Sequence, residues 1–157
     1  MKLDKRLLAI CIVIPLFVGA VAALLTGDSM QVFSMVEKPP FSPPAWLFPV
    51  AWTILYTLMG ISSYLIIKSE ADENAKERAI RLYGLQLLVN FLWPTFFFNL
   101  GWYGFSLIWL LLLWLLVVIM ILWFWEINRL AAYLNIPYLI WLTFAAYLNW
   151  GIWVLNR

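Results

Sequence analysis

The chain has 157 residues, 66% hydrophobic, 18% aromatic and 11% charged, with a formal net charge of +2, no histidine and one cysteine. A charged share so far below the roughly 25% of soluble domains marks a membrane protein, and the length is that of one domain. The missing histidine excludes a Ser-His-Asp triad, a His-ligated haem and the common histidine zinc sites, and the lone Cys11 excludes a disulfide framework and a thiolate metal site.

Charges are confined to short stretches, leaving uncharged runs at 7–27, 39–67, 82–125 and 130–156. Each is at least as long as the roughly 20 residues of a spanning helix. The first run predicts a helix over 7–26. Lys2, Lys5, Arg6 and Ala20-Val21-Ala22 give it some look of a cleavable signal, but an apolar stretch of about 19 residues exceeds the usual signal core, so it is read as a retained span. The segment 27–44 is a loop ending in a run of prolines, and a second helix follows over 45–67.

The stretch 68–79, KSEADENAKERA, reads as a mixed-charge, solvated connector. A third helix is expected over 80–99. The long third run then breaks at Asn99-Leu100-Gly101-Trp102-Tyr103-Gly104, where Gly and Asn supply turn chemistry and two aromatics suit the membrane interface. Helices over 104–125 and 137–155 complete the chain. Ile108 to Trp125 is unbroken Ile, Leu, Val, Met, Phe and Trp, unlike the alternating ten-residue segments of a β-barrel. The expectation is an all-α integral membrane protein, one five-transmembrane-helix bundle over 1–157.

Lys2, Lys5, Arg6, Lys68, Lys76, Arg78, Arg81 and Arg129 fall on one side of this arrangement, and Lys38 and Arg157 on the other. The positive-inside rule then predicts a cytoplasmic N-terminus, and the expected location is a bacterial cell membrane. There is no basic patch with interleaved aromatics for nucleic acid. No Asp, Glu, Lys or Arg lies within a predicted span except Arg81 at an edge, so the charged relays of pumps and channels are missing. The expected ligand is apolar or aromatic.

Amides and aromatics remain inside the spans. Pro49, Trp52, Tyr56 and Gly60 form a stripe on the second helix; Gln86, Asn90, Trp93 and Phe97 on the third; Trp141, Ala145, Asn149 and Trp153 on the fifth. Interior Asn90 and Asn149 need partners and should face the bundle. Trp109, Trp114, Trp123 and Trp125 follow no single face and are read as lipid-facing or interfacial. The prolines fix φ and donate no N–H, so Lys38 to Pro44 can run as a stiff strap that delivers the chain to the helix without an unmet donor. Pro49 predicts a kink or an irregular first turn.

KPPFSPPAWLFPVAWTILYTLMG (38–60), QLLVNFLWPTFF (86–97) and PYLIWLTFAAYLNWGIWVLN (137–156) together resemble the translocator protein family, also called tryptophan-rich sensory proteins or peripheral benzodiazepine receptors. The resemblance implies a five-helix bundle, frequently dimeric, that binds porphyrins and benzodiazepine-type ligands beneath the first loop. It implies no resident cofactor and no metal; its partners are the porphyrin and membrane lipid.

On this resemblance the site lies between the second, third and fifth helices, closed by the 27–44 loop. Trp52, Tyr56, Phe97 and Trp141 would stack on the macrocycle, at roughly 0.5–1.5 kcal/mol per aromatic contact beyond area burial. Trp93 and Ala145 would line the site, Asn90 and Asn149 would orient the ligand, Pro43 would form the rim and Lys38 would pair with a propionate. Where the family often has Trp-Tyr, this chain has Val32-Phe33, which predicts weaker lid contacts. No base follows Tyr147 until Arg157, so the sterol motif of animal members does not transfer. Three functions follow: a receptor that senses the tetrapyrrole, a carrier that moves it or a lipid, or an enzyme that degrades it in light and oxygen with Trp52 and Trp141 as redox partners.

Overall fold

A computed structural model of the chain describes residues 3–157. Lys2, one of the basic residues that set the expected orientation, lies outside them. Regular structure among the described residues is helical: α1 (Lys5–Leu25), α2 (Ser29–Met35), α3 (Leu47–Ile67), α4 (Glu73–Pro94), a π-helical turn (Thr95–Asn99), α5 (Tyr103–Ile127), α6 (Arg129–Tyr133) and α7 (Ile136–Leu155). Four stretches are long and apolar enough to cross a membrane, namely α1, α3, α5 and the combined Arg129–Leu155. The protein is therefore an all-helical membrane protein.

The expected third span does not qualify on those grounds, because α4 ends at Pro94 and any stretch of it long enough to cross takes in Glu77, Arg78 and Arg81; α4 also starts seven residues earlier than predicted, inside the charged connector. Asp72 caps it, its carboxylate accepting from Ala75 N at 3.1 Å. Lys76 pairs with Glu73 at 2.6 Å, and Arg81 pairs with Glu77. A cap and pairs three and four residues apart turn a solvated stretch into helix. The connector reading of 68–79 is corrected accordingly. At the other end Pro94 has no N–H to offer the Asn90 carbonyl, and the following turn widens so that Leu100 N donates to Thr95 O at 3.1 Å.

α1 crosses α3 at close range for a related reason. Pro15 lies within α1 and leaves the carbonyl of Cys11 without its helical donor. That carbonyl lies against Gly60, where an added Cβ would stand 2.6 Å from Cys11 O and 2.5 Å from Ile12 Cα. Only glycine permits this approach. α5 packs against both α4 and α7, and two tryptophans read from sequence as lipid-facing fasten it. Trp109 Nε1 donates to Val89 O at 2.7 Å and Trp114 Nε1 to Thr143 Oγ1 at 2.9 Å. An indole N–H at membrane depth seeks a protein acceptor; this corrects the reading for Trp109, whereas the Trp114 bond lies on the exposed face of the bundle. Trp123 and Trp125 are exposed as expected.

The proline strap is tied to α7. Pro39 is buried against Gly151, Tyr147 Oη donates to Pro40 O at 2.8 Å, and Asn156 bonds both backbone groups of Glu37, at 3.0 and 2.8 Å. Ser42 Oγ donates to Pro39 O at 2.7 Å and braces a turn in which Phe41 takes φ 64°. The chain enters α3 through tightened bonds, Leu47 N to Pro44 O at 3.0 Å and Phe48 N to Ala45 O at 3.3 Å. Pro49 therefore sits in an irregular first turn, where its missing donor is no loss.

Candidate functional site

Beneath α2 and between α1, α3, α4 and α7 lies a cavity of about 430 Å³, within the range of small-molecule sites. Trp52 and Tyr56 come from α3, Asn90 and Trp93 from α4, and Trp141 and Ala145 from α7; all six line it. Helical spacing puts each set on one face, and the crossing of the three helices turns those faces inward. The aromatic wall is interlocked: Trp52 stacks on Tyr56 with ring centroids 5.3 Å apart, and meets Trp141 edge-on at 6.4 Å. Phe48 stands edge-on to Trp141 at 5.8 Å.

A chain of buried hydrogen bonds underlies this wall. Tyr56 Oη donates to Asn90 Oδ1 at 3.1 Å, Asn90 Nδ2 to Tyr138 Oη at 2.7 Å, Tyr138 Oη to Gln86 Oε1 at 2.8 Å, and Gln86 Nε2 contacts Met59 Sδ at 3.9 Å. Every donation runs in one direction, so the rotor of each group is fixed by the next. Asn90 lines the cavity, and its amide has one N–H beyond the bond to Tyr138. No charged residue lines the cavity.

Four predicted site residues fall elsewhere. Asn149 is buried behind the wall, accepting from Trp93 Nε1 at 3.2 Å and donating to Tyr103 O at 2.8 Å, with Ser106 Oγ 3.1 Å from its carbonyl oxygen. Its amide holds α4, α5 and α7 together and does not line the cavity. Phe97 is buried, stacked on Trp93 at 5.0 Å and packed on Tyr103 at 4.9 Å. Pro43 is half-buried in the strap and does not line the cavity. Lys38 is the clearest correction, because its ammonium donates to the carbonyls of Phe33, Val36 and Ser34 at 2.8, 3.0 and 3.4 Å. It caps α2, whose last carbonyls lack helical donors.

Sequence reasoning missed the α1 side of the cavity. Gly19, Ala20, Ala22 and Ala23 line it together with Ser29, Met30 and Phe33 from α2. Small apolar residues carry no chemical signature, and only packing reveals them. Phe33, read as a weak lid contact, is 6% exposed and edge-on to Phe48 at 4.9 Å.

A family model described as the TspO/MBR family matches residues 11–154. The chain is similar to the tryptophan-rich protein TspO of Chlorobaculum tepidum, 34% identical over 95% of each chain. It is 35% identical to that of Archaeoglobus fulgidus, over 99% of this chain and 97% of the other. The human translocator protein is 33% identical over 87% of this chain and 80% of its own length. A match that takes in α3, α4 and α7, with identity of this order along nearly the whole length, means that the chain belongs to the TspO/MBR family of membrane proteins.

Proposed function

We propose that the protein is a membrane receptor that binds flat aromatic ligands, porphyrins first among them and benzodiazepine-type compounds as well, and so senses or regulates tetrapyrrole. The observation that carries this reading is the uncharged cavity walled by Trp52, Trp93 and Trp141 with the one spare N–H of Asn90. Indole faces offer stacking area, and a single polar group fixes orientation, which is the composition of a small-molecule site. α2 and the strap, within 27–44, cover its end. α4 and the π-helical turn provide the fifth span through the uncharged stretch 82–99, long enough at 1.5 Å per residue to reach across most of the hydrocarbon. The N-terminus is cytoplasmic, in a bacterial cell membrane.

Titration of the purified protein with metal-free protoporphyrin tests the reading. Saturable quenching of tryptophan fluorescence is the expected result, and quenching that grows linearly without saturation would remove it. A tag after Arg157 should be open to protease on intact cells; protection of that tag would reverse the orientation.

A second reading, a light- and oxygen-dependent porphyrin-degrading enzyme, is favoured by one observation: Trp52 and Trp141 line the same cavity in edge-on contact. The ligand would supply the photochemistry and the protein two oxidisable indoles beside it. A carrier differs from both in that the ligand leaves unaltered on the opposite side of the bilayer.

A further inference from the structure

We infer that the ligand reaches this cavity sideways from the bilayer, through a window between α1 and α3, and that the strap over its end is a fixed cover. This rests on the cavity being a ligand site, as proposed above. It adds the ligand's source: a molecule dissolved in the hydrocarbon phase.

The first observation is where the cavity wall is open. Most of its lining side chains are buried or half-buried; the exposed ones are Met30 of α2 and, where α1 and α3 face each other, Ala20, Ala23, Pro49 and Thr53. The four on α1 and α3 are small or short. α1 and α3 run in opposite directions and touch at Gly60 against Cys11 and Ile12, then at Gly19 against Tyr56. The same register carries Ala23 to the level of Trp52 and Thr53. Beyond Gly19 the α1 residues that line the cavity are Ala20, Ala22 and Ala23, none of them large, so the pair is pinned in one half and faced with small side chains in the other.

The second observation is that the opposite end is locked. Glu37, Pro39 and Pro40 are held on α7 by the Asn156 pair, the Gly151 contact and the Tyr147 hydroxyl, and Lys38 ties the strap to α2. Asn99 Nδ2 donates to Leu25 O at 3.1 Å and fastens the end of α1 to the π-helical turn. Opening the strap breaks several of these bonds together. Opening the window breaks none, because Ala20, Ala23 and Pro49 offer no side-chain hydrogen bond and Thr53 Oγ1 bonds within its own helix, to Pro49 O at 2.7 Å.

The third is physical. A ligand apolar enough to fill an uncharged aromatic cavity is far more concentrated in lipid than in water. A lateral path lets it exchange one apolar surrounding for another without crossing the strap.

The test uses the full chain in lipid nanodiscs, with Ala23→Cys and Thr53→Cys joined by a reducible bifunctional thiol linker in a Cys11→Ser background. Protoporphyrin binding and release are followed by stopped-flow quenching before and after the linker is cleaved. The linked form should bind and release about tenfold more slowly with an unchanged ratio of the two rates, a decade being within the spread for variants of one site. Cleavage restores the rates in the same molecules, so misfolding is not at issue. Asn156→Ala, which removes the strap's bonds at Glu37, should leave the release rate unaltered. Equal rates in the linked and cleaved forms, or faster release from Asn156→Ala, would overturn the lateral path while leaving the site in place. Absence of saturable quenching in the cleaved form would instead overturn the binding site and the path with it.

Discussion

The ammonium of Lys38 lies 2.8 Å from the carbonyl oxygen of Phe33 and 5.1 Å from the centroid of the Phe33 ring. One side chain thus closes the end of α2 and steadies the ring that roofs the cavity. The positive charge is engaged with backbone dipoles and directed away from the interior, so no cation meets an anionic ligand inside. A porphyrin bound there would have to keep its carboxylates at the mouth or beyond it, since a buried unpaired carboxylate is very costly.

The first prediction follows from that placement. Protoporphyrin and its dimethyl ester should bind with similar affinity, and Lys38→Met should weaken both by the same factor, through a loosened α2. Tryptophan quenching titrations measure all four combinations. A loss confined to the diacid would mean that Lys38 does pair with the propionate.

A second prediction concerns the α1–α3 crossing. The atoms that a Cβ on Gly60 would meet are backbone atoms of Cys11 and Ile12, which cannot rotate aside. Gly60→Ala should therefore destabilise the fold by roughly 1–3 kcal/mol, the usual range for overpacking. Gly84 is the contrast, an exposed residue of α4 with nothing within 4 Å of its notional Cβ. Gly84→Ala should be neutral or stabilising by up to about 1 kcal/mol. Thermal unfolding of the two variants in one detergent checks the difference, and equal midpoints would mean that α1 moves freely off α3.

A third prediction tests the bonds beneath the wall. Tyr138→Phe removes a hydroxyl that accepts from Asn90 and donates to Gln86, leaving two buried groups unpaired. The expected cost is roughly 1–3 kcal/mol of stability. Asn149→Ala should cost a similar amount by orphaning Trp93 Nε1. At temperatures where the fold holds, porphyrin affinity should fall for Tyr138→Phe, whose network positions Asn90, and much less for Asn149→Ala. The opposite order would return Asn149 to the site.

These contrasts mark what the residues disclose and what they withhold. The four most apolar helices are legible within a few residues because periodicity and length are written in the chain. Trp52, Tyr56, Asn90, Trp93, Trp141 and Ala145 are legible as a set because spacings of three and four fix a helical face. Asn149 has the same spacing and the same chemistry as Asn90, and only its neighbours, Trp93 and Tyr103, decide that it is structural. α2 and α6 are too short for periodicity to announce them. Gly19, Ala20 and Ala23 matter through the volume they leave empty, and no residue type advertises an empty volume.

The last prediction separates holding the porphyrin from altering it. Trp141 lies at the centre of the aromatic wall, between Phe48 and Trp52, so Trp141→Ala should weaken porphyrin binding by roughly 1–3 kcal/mol. Trp52→Phe and Trp141→Phe keep most of the stacking surface but remove the more oxidisable indole and its N–H. If the protein only binds, both Phe variants should resemble wild type in illuminated and dark samples alike, and the porphyrin spectrum should persist. If the indoles act as redox partners of the excited ring, wild-type protein should bleach the porphyrin only with light and oxygen, and either Phe variant should slow bleaching far more than it weakens binding. Absorbance of the bound ligand in four matched samples, lit and dark, aerated and deoxygenated, distinguishes the cases. A wild type that yields no new product under light and oxygen removes the enzyme and leaves the receptor and the carrier; Phe variants that bleach at the wild-type rate with unchanged affinity leave the two indoles as wall and nothing more.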